Sequence, residues 1–244
     1  MIPYILFSII YWGIKQILSP FLMNPISMNG LLGIAVWPIE FMWYIYALFF
    51  VNCFAEVLVY IIRNKKVIWV ISFAMMFLPD VGVPAIYYVK RYMFYFCLGN
   101  IVSIVRKKQY KIILCIILGV INQICFWGKF DFAMKYLVVT ISGVVFWMLL
   151  FLCMDIQTRI PILYRLGVNG MPIYLMHVIA VGGIRILLNR IGIVGFIPNM
   201  VMGFVGSLFL CQVMYELVIK KIAVLDFIFY PMRYLHKEKS NKTF

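Results

Sequence analysis

The chain has 244 residues, of which 66% are hydrophobic and 12% are charged, and its mean hydropathy is +1.03. A water-soluble domain needs far more surface charge, so this composition excludes a soluble globular fold and indicates lipid as the solvent. The 22 basic residues against 8 acidic ones suggest nucleic acid at first. However, the basic residues lie in short clusters between apolar segments, which is typical of membrane topology, and we expect no nucleic-acid partner.

The apolar segments are about 20 residues long and apolar on every side, which favours spanning helices over the alternating strands of a barrel. Backbone groups in lipid must bond within their own segment, so the sequence predicts an all-α, polytopic transmembrane bundle of about eight spans. The third span is the weakest, because Pro79 and Asp80 cut it short, as in a re-entrant or kinked segment. The predicted spans cover residues 2–22, 40–62, 67–83, 86–105, 112–128, 136–154, 171–190 and 197–219.

Basic residues follow the second, fourth, sixth and eighth spans, whereas residues 23–39 contain no Lys or Arg. The positive-inside rule therefore predicts a multi-pass protein of the inner (plasma) membrane with both termini in the cytoplasm. Membrane lipid is an expected partner, because this charge favours anionic headgroups. We expect a single transmembrane domain over residues 1–235 and a charged cytoplasmic tail over residues 236–244. The six cysteines lie in apolar segments without CxxC spacing, so we expect buried thiols and no metal site.

Polar side chains in the second span are candidates for function, because such groups are costly in lipid. Glu40 opens the span beside Trp43 and Tyr46. The two rings suit either an aromatic belt or a substrate-binding surface, and Glu40 suits a catalytic base or a ligand for a sugar hydroxyl. Deeper in the span, Glu56 is either a functional carboxylate or the partner of Arg63 and Lys65 at the inner edge.

Two further spans, the fourth and the seventh, contain candidate functional residues. Lys90 and Arg91 lie at the outer edge of the fourth span, where they either bind a phosphate or carboxylate or mark the interface. His177 lies in the seventh span, with Tyr174 three residues earlier on the same helix face. A neutral imidazole there either bonds to another helix or serves as a general acid or base, with Tyr174 binding substrate.

Other polar residues have a simpler structural interpretation. Glu216 and Lys220 are four residues apart on the last span, the spacing of a helical ion pair. Asn100, Asn122 and Gln123 are expected to form hydrogen bonds between helices.

Several segments resemble the acyltransferase-3 family of membrane acyltransferases. The segment 2–11 (IPYILFSIIY) is similar to the Pro-Tyr entry of an early span in that family, and 42–49 (MWYIYALF) is similar to its Trp-Phe-Leu-Tyr-Ala-Leu helix. The segment 91–99 (RYMFYFCLG) resembles its Arg-Tyr-x-x-x-Phe-x-x-Gly pattern. The segment 167–177 (GVNGMPIYLMH) resembles its Gly-x-x-Ser-x-x-Ile-Tyr-Leu-x-His pattern, with Gly170 in place of the serine.

The resemblance implies an O-acyltransferase that takes an acyl group from cytoplasmic acyl-CoA, most often acetyl-CoA. The acceptor would be a hydroxyl of a surface or exported polysaccharide, or of a lipid-linked glycan, in a bacterial cell envelope. The competing hypothesis is a transporter or flippase component for a glycan or lipid-linked precursor, in which the polar faces line a path.

One part of the family pattern is not matched. Family members carry a catalytic Arg and His in their leading span, whereas no Arg or His precedes Arg63 in this chain. We therefore expect an N-terminally shortened member with weak or no activity. His177 belongs to a different motif and does not correspond to that family histidine.

Overall fold

The structure, a computed structural model, describes residues 1–17, 28–99, 108–128, 132–154 and 159–230. Within these ranges the chain forms helices and no β-strand, and several helices are long and apolar, which confirms the predicted all-α membrane bundle. Asn100 and the tail predicted over residues 236–244 lie outside the described residues. The single domain over residues 1–235 stays a prediction.

In the part of the chain that the structure describes, three short 3-10 helices, at Gly33–Ala35, Glu40–Met42 and Ile219–Lys221, lie next to α-helices. The α-helices are α1 (Ile2–Ile17), α2 (Met28–Leu32), α3 (Trp43–Ile62), α4 (Lys65–Met75), α5 (Pro84–Leu98), α6 (Lys108–Trp127), α7 (Phe132–Cys153), α8 (Pro161–Val168), α9 (Gly170–Arg190), α10 (Phe196–Leu217) and α11 (Ala223–Phe229).

Each predicted span coincides with a helix, but the described helices differ in reach. The 11 residues of α4 rise about 17 Å and the 15 of α5 about 23 Å, both less than a hydrocarbon core of about 30 Å. The helix α1 is also apolar but short. Eight spans therefore stay a prediction. Five described segments are long and apolar enough to cross a membrane, namely Gly30–Ile62, Tyr110–Trp127, Lys135–Cys153, Gly170–Arg190 and Phe196–Lys221.

Local sequence signals determine where α3 ends and where α4 and α5 begin. Arg63 adopts a left-handed conformation with φ of 55°, which ends α3. Asn64 then caps α4, because its side-chain oxygen accepts a hydrogen bond from the backbone N–H of Lys66 at 3.0 Å. Pro84 lies in the first turn of α5, where its missing N–H costs nothing.

The chain divides into two compact units. The first comprises Met1 and Trp12–Arg159, and the second comprises Ile2–Tyr11 and Ile160–Phe244. In the first unit, α3, α4 and α5 share one buried cluster, which contains Val51, Ala55, Leu58, Ile68, Val89, Met93 and Cys97. A second cluster joins α5 to α6 and α7 through Phe94, Leu98, Cys115, Val145 and Leu149.

Close contacts also hold the α6–α7 hairpin of the first unit. Asn122 donates to the carbonyl of Val139 at 2.7 Å and to the hydroxyl of Ser142 at 3.0 Å, which confirms its predicted interhelical role. Gln123 is exposed and makes no hydrogen bond within the described residues, so the same prediction was wrong for it. Its side chain points away because adjacent residues lie about 100° apart around a helix.

The second unit is built on the pairing of α9 and α10. Ile173, Ala180 and Cys211 form its buried cluster. Phe7 packs on Phe229 with ring centroids 5.1 Å apart, which joins the first residues of α1 to α11. The predicted helical pair is confirmed, since Lys220 lies 3.2 Å from Glu216.

Candidate active site

Four aromatic rings meet where α3 and α5 pack in the first unit, and we call Trp43, Tyr46, Tyr88 and Tyr92 the aromatic cluster. Trp43 stacks on Tyr88 with centroids 5.8 Å apart and on Tyr92 at 5.7 Å, with interplanar angles of 20° and 27°. Tyr88 and Tyr92 are four residues apart, so both rings lie on the face of α5 that meets Trp43. These ring contacts form an aromatic surface at the beginning of α3.

Tyr46 forms the buried edge of the aromatic cluster. Its side chain is 1% exposed, and its ring lies 6.0 Å from Tyr88 in an edge-on arrangement. Its hydroxyl donates toward the carbonyls of Val36 at 3.1 Å and Ala35 at 3.2 Å. Tyr46 therefore fixes the turn that precedes α3, and its predicted substrate-binding role stays a prediction.

Glu40 lies at the turn before α3 and forms an ion pair with Lys15 of α1. The backbone of Glu40 has φ of 38°, which is uncommon for a residue with a side chain. Lys15 is nearly buried, with 9% of the residue exposed, whereas 45% of the Glu40 side chain is exposed. One side of the carboxylate is thus held by a nearly buried cation, and the other side remains accessible.

Lys90 lies on α5 and is 9% exposed. Its ammonium forms an ion pair with Asp80 and donates to the carbonyl of Leu78 at 2.8 Å. Both partners belong to the connection between α4 and α5, so Lys90 ties that connection to the helix. Its binding of a phosphate or carboxylate stays a prediction.

Arg91 connects α5 to α7. Its guanidinium donates to the hydroxyl of Tyr87 and, at 3.3 Å, to that of Tyr136. The same group lies 5.7 Å and 5.8 Å from the centroids of these two rings, within the range of cation–π attraction. A guanidinium carries five N–H donors, so this arrangement orients the group while leaving donors for an anionic or carbonyl ligand.

A groove of about 260 Å³ runs beside the aromatic cluster in the first unit. Aromatic and aliphatic side chains line this groove, which suits a ligand with an apolar, sugar-like face. The lining includes Trp43, Tyr44, Ala47, Val51, Tyr92 and Tyr95.

His177 and Tyr174 lie on α9, in the second unit. The Nδ1 atom of His177 lies 2.6 Å from the carbonyl oxygen of Tyr174, and the two rings are 5.7 Å apart. A carbonyl can only accept, so Nδ1 donates this bond. In the tautomer that carries its proton on Nδ1, Nε2 is the atom that can act as a general base.

Sequence reasoning missed three residues that shape this region. Lys15 was detectable as a lysine within an apolar segment, which signals a partner in lipid. Tyr92 was detectable from its spacing of four from Tyr88. Tyr136 had no local signal, because it meets Arg91 only through tertiary packing.

One of the two interpretations of Glu56 can be compared with the structure. Glu56 is exposed and makes no ion pair within the described residues, so the interpretation that pairs it with Arg63 and Lys65 was wrong. Arg63 is seven residues away, which is about 10 Å along the helix and too far for an ion pair. In the part of the chain that the structure describes, no three His, Cys, Asp or Glu side chains lie together as a metal site requires.

Comparison with known proteins gives one match. The model of the acyltransferase-3 family, described as an acyltransferase domain, matches residues 1–216. No curated protein and no solved structure matches the chain. Since the family match covers most of the chain and five described segments are fit to cross a bilayer, the chain belongs to the acyltransferase-3 family of membrane acyltransferases.

Proposed function

We propose that the chain is an O-acyltransferase of the inner membrane, with both termini in the cytoplasm. It moves an acyl group, acetyl in the first instance, from cytoplasmic acyl-CoA to a hydroxyl of a surface or exported polysaccharide. The aromatic cluster is the observation that carries the acceptor assignment. Sugar rings present apolar C–H faces that pack on aromatic rings, and hydroxyls that bond to nearby polar groups.

The residues around the cluster suit acyl transfer to a hydroxyl. The acceptor oxygen attacks the thioester carbonyl, its proton passes to a base, and the carbon–sulfur bond breaks as the thiolate leaves and takes up a proton. Glu40 is the base candidate beside the aromatic cluster, because its carboxylate is half-exposed and is oriented by the ion pair with Lys15. His177, through Nε2, is the candidate in the second unit.

Arg91 suits the charge that develops in this reaction. A tetrahedral intermediate carries a negative oxygen, and preorganised donors lower the barrier to its formation. The guanidinium of Arg91 is preorganised by Tyr87 and Tyr136, which hold it from two helices. It equally suits a phosphate or carboxylate of a substrate, and both roles need the same fixed orientation.

Acceptor binding tests the assignment of the aromatic cluster. Binding of a panel of labelled hexose and N-acetylhexosamine oligosaccharides is measured on the protein in lipid nanodiscs. We expect Trp43→Ala to weaken binding about three- to tenfold, the range of one aromatic contact. Trp127→Ala is the matched control, because Trp127 ends α6 and is 78% exposed. Equal binding by the two variants would remove the aromatic cluster from the acceptor site.

A further inference from the structure

A second groove lies in the other unit, between α8 and α10, and encloses about 550 Å³. Its walls are aliphatic and aromatic along most of its length and become polar at one end only. The polar end contains Arg165 of α8 with Gln212 and Glu216 of α10, and the apolar wall includes Leu166, Val205, Leu208, Phe209 and Val213.

The length of the groove fits one leaflet of a bilayer. From Glu216 to Val205 the groove follows α10 for 11 residues, or about 16 Å. Half of a hydrocarbon core is about 15 Å. The polar end lies at the terminus of α10 that the basic clusters predict to be cytoplasmic. The groove therefore runs from the headgroup level to about the bilayer midplane, which is the path of one lipid chain.

One of the cations at the polar end has no ion-pair partner among the described residues. Glu216 accepts hydrogen bonds from Asn169 at 3.3 Å and Gln212 at 3.4 Å, and its other oxygen pairs with Lys220 at 3.2 Å. Arg165 acts on this carboxylate through its charge but makes no hydrogen bond or ion pair within the described residues. Since Lys220 already pairs with Glu216, the guanidinium of Arg165 lies at the mouth of the groove without an ion-pair partner among the described residues.

The helix α8 has the character of an interfacial helix. Its apolar side chains are turned outward, with Ile162 70% exposed and Tyr164 43% exposed. A short helix that exposes both apolar and basic side chains lies favourably at the boundary between headgroups and acyl chains. A lipid is thus the occupant that matches both the apolar wall and the polar end of the groove.

We propose that the groove between α8 and α10 binds one anionic phospholipid, with an acyl chain along α10 and the phosphate on Arg165. The site is separate from the aromatic cluster and does not depend on the reaction assigned to the protein. Its function is to hold the α8–α10 corner of the second unit to the cytoplasmic leaflet.

Photo-crosslinking in nanodiscs of phosphatidylcholine tests the proposal. The probe is phosphatidylglycerol with a photoreactive diazirine in one acyl chain, and a phosphatidylcholine probe with the same diazirine is the neutral comparison. We expect the anionic probe to label α8 and the 205–216 segment of α10 about fivefold more than the neutral probe, as one basic residue at a lipid surface predicts. Inorganic phosphate in excess leaves this labelling unchanged, because it offers no chain for the groove.

Matched variants locate the two parts of the site. Arg165→Gln lowers labelling by the anionic probe to the level of the neutral one, and Arg165→Lys, which keeps the charge, retains most of it. Arg190→Gln removes an exposed arginine at the opposite end of α9 and leaves labelling unchanged. Val205→Trp fills the groove and reduces labelling by both probes, whereas Val201→Trp, one turn away and outside the groove, does not.

Several results would overturn the proposal. Equal labelling by the two probes would show an apolar groove without headgroup selection. Labelling that survives Arg165→Gln would show that Arg165 does not bind a lipid phosphate, and labelling that inorganic phosphate removes would assign the site at Arg165 to a free anion instead of a lipid. Crosslinking of two protein chains through this face would assign the groove to a second copy. Each variant is accepted only if its thermal unfolding matches that of the unaltered chain. If Arg165→Gln does not fold, the comparison of anionic-probe labelling between Arg165→Lys and Arg190→Gln remains decisive.

Discussion

The cations near the candidate site of the first unit and the cation beside the groove of the second unit differ in whether they have a protein partner. In the first unit, the cations near α5 and at the end of α1 have protein partners, since Lys15 meets Glu40, Lys90 meets Asp80 and Arg91 lies between two tyrosines. In the second unit, Arg165 has no such partner within the described residues and borders an apolar groove. Charges in lipid need a partner, so an internally balanced charge stabilises the fold and an unbalanced one marks a binding site.

The largest effect is expected from breaking a balanced pair in the first unit. Asp80→Asn leaves the nearly buried ammonium of Lys90 with the Leu78 carbonyl as its one partner within the described residues. We expect a loss of about 2 kcal/mol in the free energy of unfolding, below the range for a fully buried pair because Asp80 is largely exposed. Thermal unfolding in detergent should show Tm lowered by about 4–8 °C.

The control for this change is Glu56→Gln, which alters an exposed carboxylate without an ion pair in the described residues. Its Tm should stay within about 2 °C of the unaltered chain. The double variant Asp80→Asn/Lys90→Met removes both charges and should recover most of the loss. If Asp80→Asn and Glu56→Gln lowered the free energy of unfolding equally, the Lys90–Asp80 ion pair would make no special contribution to the stability of the first unit.

A smaller effect is expected where helices approach closely. A Cβ at Gly119 of α6 would lie 2.9 Å from the ring of Phe146, so Gly119→Ala requires the Phe146 ring or the two helices to shift. We expect it to cost about 1–2 kcal/mol. At Gly182 of α9 nothing lies within 4 Å of such an atom, so Gly182→Ala should be neutral or stabilise by up to about 1 kcal/mol. A lower Tm for Gly119→Ala together with an equal or higher Tm for Gly182→Ala would confirm tight packing in the first unit. A change of Tm in the same direction for both variants would contradict it.

The smallest effect concerns the interhelical hydrogen bonds of Asn122. Asn122→Leu removes its bonds to Val139 and Ser142, which we expect to cost about 1 kcal/mol, since such bonds in membranes average about 0.6 kcal/mol each. Gln123→Leu changes the neighbouring exposed amide and should have no measurable effect. Denaturant titration of the two variants side by side measures the difference, and a larger loss for Gln123→Leu would show that the hairpin contact is misassigned.

The sequence predicted the helices because membrane spans are set by local composition. Apolar length alone placed a helix at every predicted span, and Pro79 with Asp80 indicated the early end of the third. The same local signals predicted the Glu216–Lys220 pair, whose members are one helical turn apart.

The partners of the candidate site residues were harder to predict. Lys15 and Glu40 are 25 residues apart in the chain, and Arg91 and Tyr136 are 45 apart. Such pairs depend on how helices pack, which apolar periodicity does not determine when nearly every face is apolar. The sequence therefore identified Glu40, Lys90 and Arg91 as unusual without identifying what each of them contacts.

Acyl transfer itself is the most direct measurement of the proposed function. The protein in nanodiscs is incubated with acetyl-CoA carrying an isotopic label in the acetyl group, together with the oligosaccharide that binds most tightly to the aromatic cluster. We expect the label to appear slowly on the oligosaccharide, as an ester that mild base removes, because the catalytic Arg and His of the family pattern are not matched in this chain. The label should decrease in Trp43→Ala but not in Trp127→Ala. Label that stays on coenzyme A while the protein carries the unmodified glycan across a vesicle membrane would contradict an acyltransferase and indicate a transporter.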